Sequence, residues 1–288
     1  MSEFIKSTDC KEVILIGETS IYDKIKNFLK MEEKKYLISY FRSDNTYKTV
    51  FCEQKKNKQQ SYFTSIYEEL ISLTEPTFII NCGCYYIYPR ELLYKKNLTL
   101  INFHNGLLPI YRGLNIPSWV IYNEEKEGGI TWHIIREKVD TGEALKRGTI
   151  SVGCDERAYQ LCNRLFVLGY NLFLELWHDW EDGILNSVDM QNINGTKRYF
   201  YYEKDIPNNG VIDLRKDKVK TIYNTLRAVD YGKFCQFPPV ILIDRNGKHF
   251  IVYRYWINND HERREIEEKK IIKLELENTF LYIEIIEK

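Results

Sequence analysis

The sequence predicts an α/β fold, an open and mostly parallel sheet with helices on its faces, followed by a smaller β-rich C-terminal unit. Three observations predict it. Short apolar runs of strand length alternate with amphipathic helical segments up to about residue 185. Beyond residue 190 the pattern changes to turn signals between runs rich in β-branched and aromatic residues. Apolar residues make up 44% of the 288-residue chain, enough to bury a sizeable core plus a smaller appendage. The expected division is 1–188 and 189–288.

Taken in order, VILIG (13–17) reads as a buried strand and IYDKIKNFLK as the amphipathic helix after it. YLISYF (36–41) is a second strand, SYFTSIYEELISL (61–73) has helical spacing, and TFIINCG (77–83) is a buried strand. Pro89 opens a short helix, PRELLYKK, with proline in its first turn. LTLINFH (98–104) is the next strand, IPSWVIYNEE (116–125) is helical and GGITWHII (128–135) is a strand. Residues 155–183 form a long amphipathic helix for which Gly183 suits the stop. This alternation gives a Rossmann-like sheet. Later come an Asn-Asn-Gly turn (208–210), a helix over 217–232 closed by Gly232, and VILIDRNGKHFIVYRYWI, a hairpin around Arg-Asn-Gly-Lys. Two further strands, IIKLELE and FLYIEIIE, flank Asn278 and Thr279, and HERREIEEKK before them reads as a solvated charged run.

Composition narrows the function. Lys and Arg number 41 and so do Asp and Glu, so nothing global points to a polyanion or a membrane surface. The tail from 190 to 288 carries 18 Lys and Arg against 15 Asp and Glu, a poor nucleic-acid grip. No apolar stretch approaches the roughly 20 residues that span a bilayer. The opening MSEFIKSTDCKEVILIG does not have the form of a signal peptide. With seven scattered cysteines, reduced thiols and a cytoplasmic location are expected. Cys82 and Cys84 lack a second Cys/His pair that would complete a tetrahedral metal site, so no metal is expected.

The chemistry concentrates in INFHNGLLPIYRG (101–113). Residues i and i+2 of a strand face the same way, so Asn102 and His104 present an amide and an imidazole together at a strand's carboxyl end, where ligands of open α/β sheets sit. An imidazole passes protons near neutral pH, and an amide N–H can stabilise an oxyanion. The carboxylate that would orient the histidine is sought in VDTGEAL (139–145), where Asp140 opens an Asp-Thr-Gly turn after a strand. His133 on that strand is open to a supporting or a packing role.

With these motifs the chain resembles the folate-dependent formyltransferases, which include methionyl-tRNA, glycinamide ribonucleotide and sugar N-formyltransferases. The matching residues are Asn102-Phe103-His104, Leu108-Pro109, Gly129-Ile130-Thr131-Trp132-His133 and Asp140-Thr141-Gly142. The resemblance runs from about 75 to 185 and more loosely over 1–75. It implies the formyltransferase fold and a catalytic triad of Asn102, His104 and Asp140. It implies N10-formyltetrahydrofolate as co-substrate, its pterin held by Cys84, Tyr85, Ile87, Arg136, Val139 and Asp140 on the loops near 82–89 and 136–142. A homodimer is expected on the same ground. Asn102 and a protonated His104 would donate to the formyl oxygen.

The acceptor is read from departures within the family. The tRNA and purine enzymes typically carry His-Pro-Ser-Leu-Leu-Pro, whereas this chain has His104-Asn105-Gly106-Leu107-Leu108-Pro109, more like the sugar enzymes. The segment RYFYYEKDIPNNGVIDLRKDKVKTIYNTLRAVDYGKF also resembles theirs. The expected substrate is the amine of a nucleotide-linked 3- or 4-amino deoxysugar, dTDP-linked in the first instance, for an O-antigen or similar glycan. A pyrophosphate needs cations, for which Lys204 and Arg227 are candidates. A base needs aromatic rings, for which Tyr202, Tyr231, Phe234 and Phe237 are candidates. Arg112 could serve the folate glutamate, the sugar or only its own loop. The alternatives are methionyl-tRNA formyltransferase, a catalytically silent folate binder and a dinucleotide oxidoreductase, the last disfavoured because VILIGETSIYDK lacks G-x-G-x-x-G.

Overall fold

The structure, a computed structural model, describes residues 5–42, 64–190, 197–234, 236–257, 270–277 and 279–287. The charged run before residue 270, the first residues of the helix expected from 61 and Asn278 lie outside these. The chain divides into two compact units. The first comprises Met1–Ile116, Glu127–Ser151 and Cys162–Tyr201; the second comprises Pro117–Lys126, Val152–Leu161 and Tyr202–Lys288.

The first unit is built on a six-stranded sheet. Its strands are β1 (Glu12–Gly17), β2 (Leu37–Arg42), β3 (Thr77–Cys82), β4 (Leu98–His104), β6 (Glu127–Ile134) and β7 (Ala144–Ser151), in the order β2-β1-β3-β4-β6-β7. The first four are mutually parallel, and β6 and β7 run antiparallel to their neighbours. Strands β1 and β3 are buried almost throughout, which is why they read as continuous apolar runs. Strand β7 escapes that signal. It is an edge strand, buried at Ala144 and Leu145 and alternating half-buried and exposed from there on, and Lys146, Arg147 and Gly148 interrupt any apolar run. Helices α1 (Ser20–Glu32), α2 (64–72), α3 (Arg90–Leu93) and α5 (Ala158–Glu181) link the strands.

Two contacts fix the sheet against α5 where the site will lie. Trp132 of β6 donates its indole N–H to the Gly169 carbonyl at 2.9 Å. A Cβ at Gly169 would stand 2.3 Å from the Phe103 ring of β4, so only glycine lets the helix approach this closely. Phe173, Trp177 and Trp180 continue the buried face of α5, and Trp180 stacks on Phe78 of β3 at 4.5 Å. Each such side chain stabilises the unit by about 1.5–3 kcal/mol through burial. A second sheet in this unit is a parallel ribbon of two three-residue strands, β5 (Tyr111–Gly113) and β8 (Tyr199–Tyr201).

The second unit holds a five-stranded sheet, β12-β13-β11-β10-β9, made of β9 (Val211–Asp213), β10 (Ile241–Ile243), β11 (His249–Ile257), β12 (Lys270–Leu276) and β13 (Thr279–Glu287). The expected hairpin is β10 and β11, closed by Gly247 at φ 82°. Asn208, Asn209 and Gly210 all take left-handed conformations and turn the chain into β9. Helix α6 (Val219–Val229) packs Ile222, Tyr223 and Leu226 into one core with Ile212, Leu242, Leu281 and Ile283. Residues of helix α4 (Ile116–Tyr122) from Pro117 onward belong to this unit, where Ser118 Oγ and Tyr231 OH lie 3.0 Å apart.

Candidate active site

Pleating sets the site. Asn102 and His104 face one side of β4, and the antiparallel register places His133 opposite Asn102 and Thr131 opposite His104. Asn102 Nδ2 lies 3.0 Å from His133 Nε2. The ladder between β6 and β7 shifts register between Trp132 and His133, an irregularity that aims the latter. The loop from 135 to 143 then folds back over the same face. Gly142 allows this, since a Cβ there would stand 1.8 Å from the Ile134 carbonyl oxygen. Asp140, in the left-handed region at φ 54°, brings its carboxylate between the two histidines: Oδ2 is 3.5 Å from His104 Nδ1 and Oδ1 is 3.5 Å from His133 Nε2. His104, His133 and Asp140 are all buried.

The backbone holds this cluster from outside. His104 Nε2 donates to the Tyr111 carbonyl at 2.8 Å, and Asp140 Oδ2 accepts the Gly113 N–H at 2.8 Å. A Cβ on Gly106 would meet His104 Nε2 at 2.6 Å, so the turn after β4 passes under the imidazole only because residue 106 is glycine. Thr131 pins that turn: its hydroxyl donates to the Gly106 carbonyl at 2.9 Å and accepts the Leu108 N–H at 3.0 Å. The Leu108–Pro109 peptide that follows is cis.

Hydrogen-bond partners set the tautomers. His133 Nδ1 donates to the Ile134 carbonyl at 2.8 Å, which leaves Nε2 to accept from Asn102. His104 donates from Nε2, which leaves Nδ1 bare toward Asp140. Burial pushes the His104 pKa below its ordinary 6.5, and the Asp140 carboxylate opposes without cancelling that. The resting imidazole is neutral, a correction to the protonated form expected from sequence. Burial pushes the Asp140 carboxyl up, but in the acid range where it titrates the positive charge on the neighbouring imidazoles and the Gly113 N–H together hold it down at about 2. An ionised carboxylate therefore faces the bare Nδ1 of His104. A proton captured there becomes at once an N–H donated to Asp140. The arrangement can accept a proton from a nucleophile, while the second amide hydrogen of Asn102 remains to donate to a carbonyl oxygen.

The two loops expected to take the co-substrate are tied together. Asn81 closes the turn after β3, accepting the Cys84 N–H at 3.2 Å and donating to the Cys84 carbonyl at 3.1 Å. Arg90 of α3 grips Glu137 of the 135–143 loop through two hydrogen bonds of 3.0 Å, and the Tyr94 hydroxyl donates to the same carboxylate. Tyr85, Ile87 and Val139 stand exposed on these loops, 39%, 67% and 42% accessible. Arg136 is paired with Glu143, and Cys84 is buried. Neither Arg90 nor Glu137 is singled out by sequence, because an ordinary surface pair looks the same until the loops meet.

The candidates for the acceptor fall in different settings. Arg112 lies on β5, half-buried, with its Nε buried and without a hydrogen-bond partner. In the second unit Tyr202, Lys204 and Phe234 are exposed, with the Lys204 ammonium 5.9 Å from the Tyr202 ring centre. Tyr231 is half-buried and 6.0 Å from Phe237, centre to centre. Arg227 does not stand where a phosphate could use it. It is buried, donates to the Glu156 carbonyl and to Asn224 Oδ1, and packs on Tyr223, so its guanidinium serves the core of that unit. Among the described residues no group of three or more His, Cys, Asp or Glu could hold a metal ion, and no helix is long and apolar enough to cross a membrane.

The family model described as formyl transferase matches residues 29–176. A curated relative, GDP-perosamine N-formyltransferase of Brucella melitensis, is 31% identical over 168 residues, 58% of this chain; the chain spans 61% of that relative's length. Among solved structures, an N-formyltransferase of Helicobacter canadensis in complex with folinic acid and dTDP-3-aminofucose is similar with a TM-score of 0.64 at 18% identity, covering 96% of this chain and 99% of that one. A 4-N formyltransferase from Francisella tularensis is similar with a TM-score of 0.63 at 19% identity, covering 84% of this chain and 96% of that one. At these identities the solved structures establish a shared fold.

Proposed function

The chain belongs to the formyl transferase family, and from that premise we propose that it moves a formyl group from N10-formyltetrahydrofolate to the amine of a nucleoside diphosphate-linked amino deoxysugar. One observation carries the reading: a buried imidazole and a buried carboxylate from distant parts of the chain meet at 3.5 Å beside an amide donor. Bound folate would supply the formyl carbon. Exposed apolar side chains on two loops tied by Arg90 and Glu137 suit a flat heteroaromatic ring. Asn102 donates to the formyl oxygen as the amine bonds to the formyl carbon and charge develops there, and His104 Nδ1, backed by Asp140, takes the proton the amine sheds and returns it to the folate nitrogen, which leaves as its bond to the formyl carbon breaks. Asp140 needs no proton of its own; it orients and stabilises the imidazolium. The acceptor class rests on the Asn105-Gly106 form of the turn, on the tail and on the curated GDP-perosamine relative. The base is left to experiment, because that relative takes a GDP sugar while a solved neighbour carries a dTDP sugar.

The direct trial incubates the purified chain with N10-formyltetrahydrofolate and 3- or 4-amino sugars linked to GDP, dTDP and UDP, with mass spectrometry of the product. One formyl group gained by one of them is expected. Formylation of none rejects the proposal. His104→Ala and Asn102→Ala should each lower turnover by about 10²–10⁴-fold in a folded protein; near-wild-type turnover in either would show that the roles are misassigned.

A further inference from the structure

Two of the contacts that hold the reacting pair come from backbone on one short strand. The Tyr111 carbonyl fixes His104 through Nε2, and the Gly113 N–H fixes Asp140 through Oδ2. Both groups lie on β5, three residues long and absent from the six-stranded sheet. Its strand partner among the described residues is β8, which lies past residue 176, where the family match ends. The pairing is close. Tyr199 donates its N–H to the Ile110 carbonyl at 2.7 Å, Leu114 donates to the Tyr201 carbonyl at 2.9 Å, and a Cβ on Gly113 would stand 2.0 Å from that same oxygen. Three rings bind the ribbon on one face. Tyr111 stacks on Tyr199 at 5.2 Å and on Tyr201 at 6.3 Å, with interplanar angles of 21° and 17°.

We infer that β8, through the stacking of Tyr199 and Tyr201 on Tyr111, positions the His104–Asp140 pair: it fixes the height of β5 and so the tautomer and reach of the imidazole. Both tyrosines are positioning residues. They act on the reaction only through the strand they hold. Without the stack, β5 gains freedom, the Tyr111 carbonyl no longer commands the Nε2 proton, and His104 divides between its two neutral tautomers.

The inference rests on the proposed function for its kinetics alone, and the test has an arm that does not. The full chain is labelled with ¹⁵N-histidine; only five histidines are present, so the signals can be assigned by substitution. In the wild type above its titration, His104 should show a protonated Nε2 and a bare Nδ1. In Tyr199→Ala/Tyr201→Ala the two nitrogen signals should converge toward an averaged value, and kcat should fall by about tenfold to a hundredfold with a smaller change in KM, the size expected of an ångström-scale misplacement. Tyr199→Phe/Tyr201→Phe keeps the rings and should restore both readouts. Phe200→Ala, on the opposite face of β8, should change neither. Unchanged His104 signals in the folded double alanine variant overturn the inference, as does failure of the phenylalanine variant to restore them. If the double variant does not fold, each single alanine variant is read by the same criteria. If the wild type formylates none of the sugars, the function fails, yet the imidazole signals still decide the positioning.

Discussion

His104 donates its one resting N–H to the Tyr111 carbonyl and turns its lone pair toward Asp140, so in the proposed reaction turnover follows the neutral fraction of this ring. Burial lowers its pKa from 6.5, and the sign of the consequence follows. The rate should hold as pH falls through 6.5 and then decline at lower pH, where the buried ring takes up its proton. Asp140, held at about 2, is ionised across that range and contributes no limb of its own. Measuring kcat/KM against pH checks this: an acid limb at or above 6.5 would contradict a neutral, burial-depressed imidazole. Stability moves the same way in acid. Below 6.5 the unfolded chain binds a proton at this histidine that the folded chain resists, so stability declines with falling pH there. The carboxylate of Asp140 adds a second loss only as pH drops from about 4 toward 2.

Elements, rather than single residues, bring these groups together. The turn after β4 is a good test because one hydroxyl holds it: Thr131 bonds both Gly106 and Leu108. Thr131→Val keeps the shape and β propensity but leaves a buried N–H and a carbonyl without their partner. A loss of about 1–3 kcal/mol in chemical denaturation is expected, with a fall in turnover because Gly106 lies against His104. An unchanged midpoint would show that water or another group satisfies the turn. At this scale the sequence was legible where period and composition agree. The runs that became β1, β3 and β4 are continuous and apolar, and Asn102 and His104 share a side by simple alternation. The meeting of His104 with Asp140 could be sought because an Asp-Thr-Gly turn follows a strand. What could not be read depends on strand order. His133 lies beside Asn102 only because β6 reverses direction next to β4. Strands β5 and β8 are three residues each, too short to show a period, and they pair across 85 intervening residues. Arg227 misled for a related reason: a cation on an amphipathic helix looks exposed until the stretch 152–161 covers it.

For the whole molecule, the second unit gathers three separated stretches: 117–126, 152–161 and the chain from 202. Its polar joints cross between them. Tyr223 donates to Asp155 at 3.0 Å, Asn224 to Glu124 at 2.8 Å, and Arg227 to the Glu156 carbonyl at 2.9 Å. A fragment of residues 1–188 would therefore carry two stretches stripped of the core they pack into. It should express less solubly than the full chain and expose apolar surface to a dye such as ANS. A fragment that is monomeric, soluble and silent to the dye would contradict this. The same threading bears on synthesis. Strand β13 sits between β12 and β11 and cannot be replaced by either. The stretch beginning at 117 leaves the ribosome about 160 residues before β13 does, roughly 8–30 s at ordinary elongation rates. For that interval the nascent polypeptide carries apolar surface whose eventual cover has not yet been made.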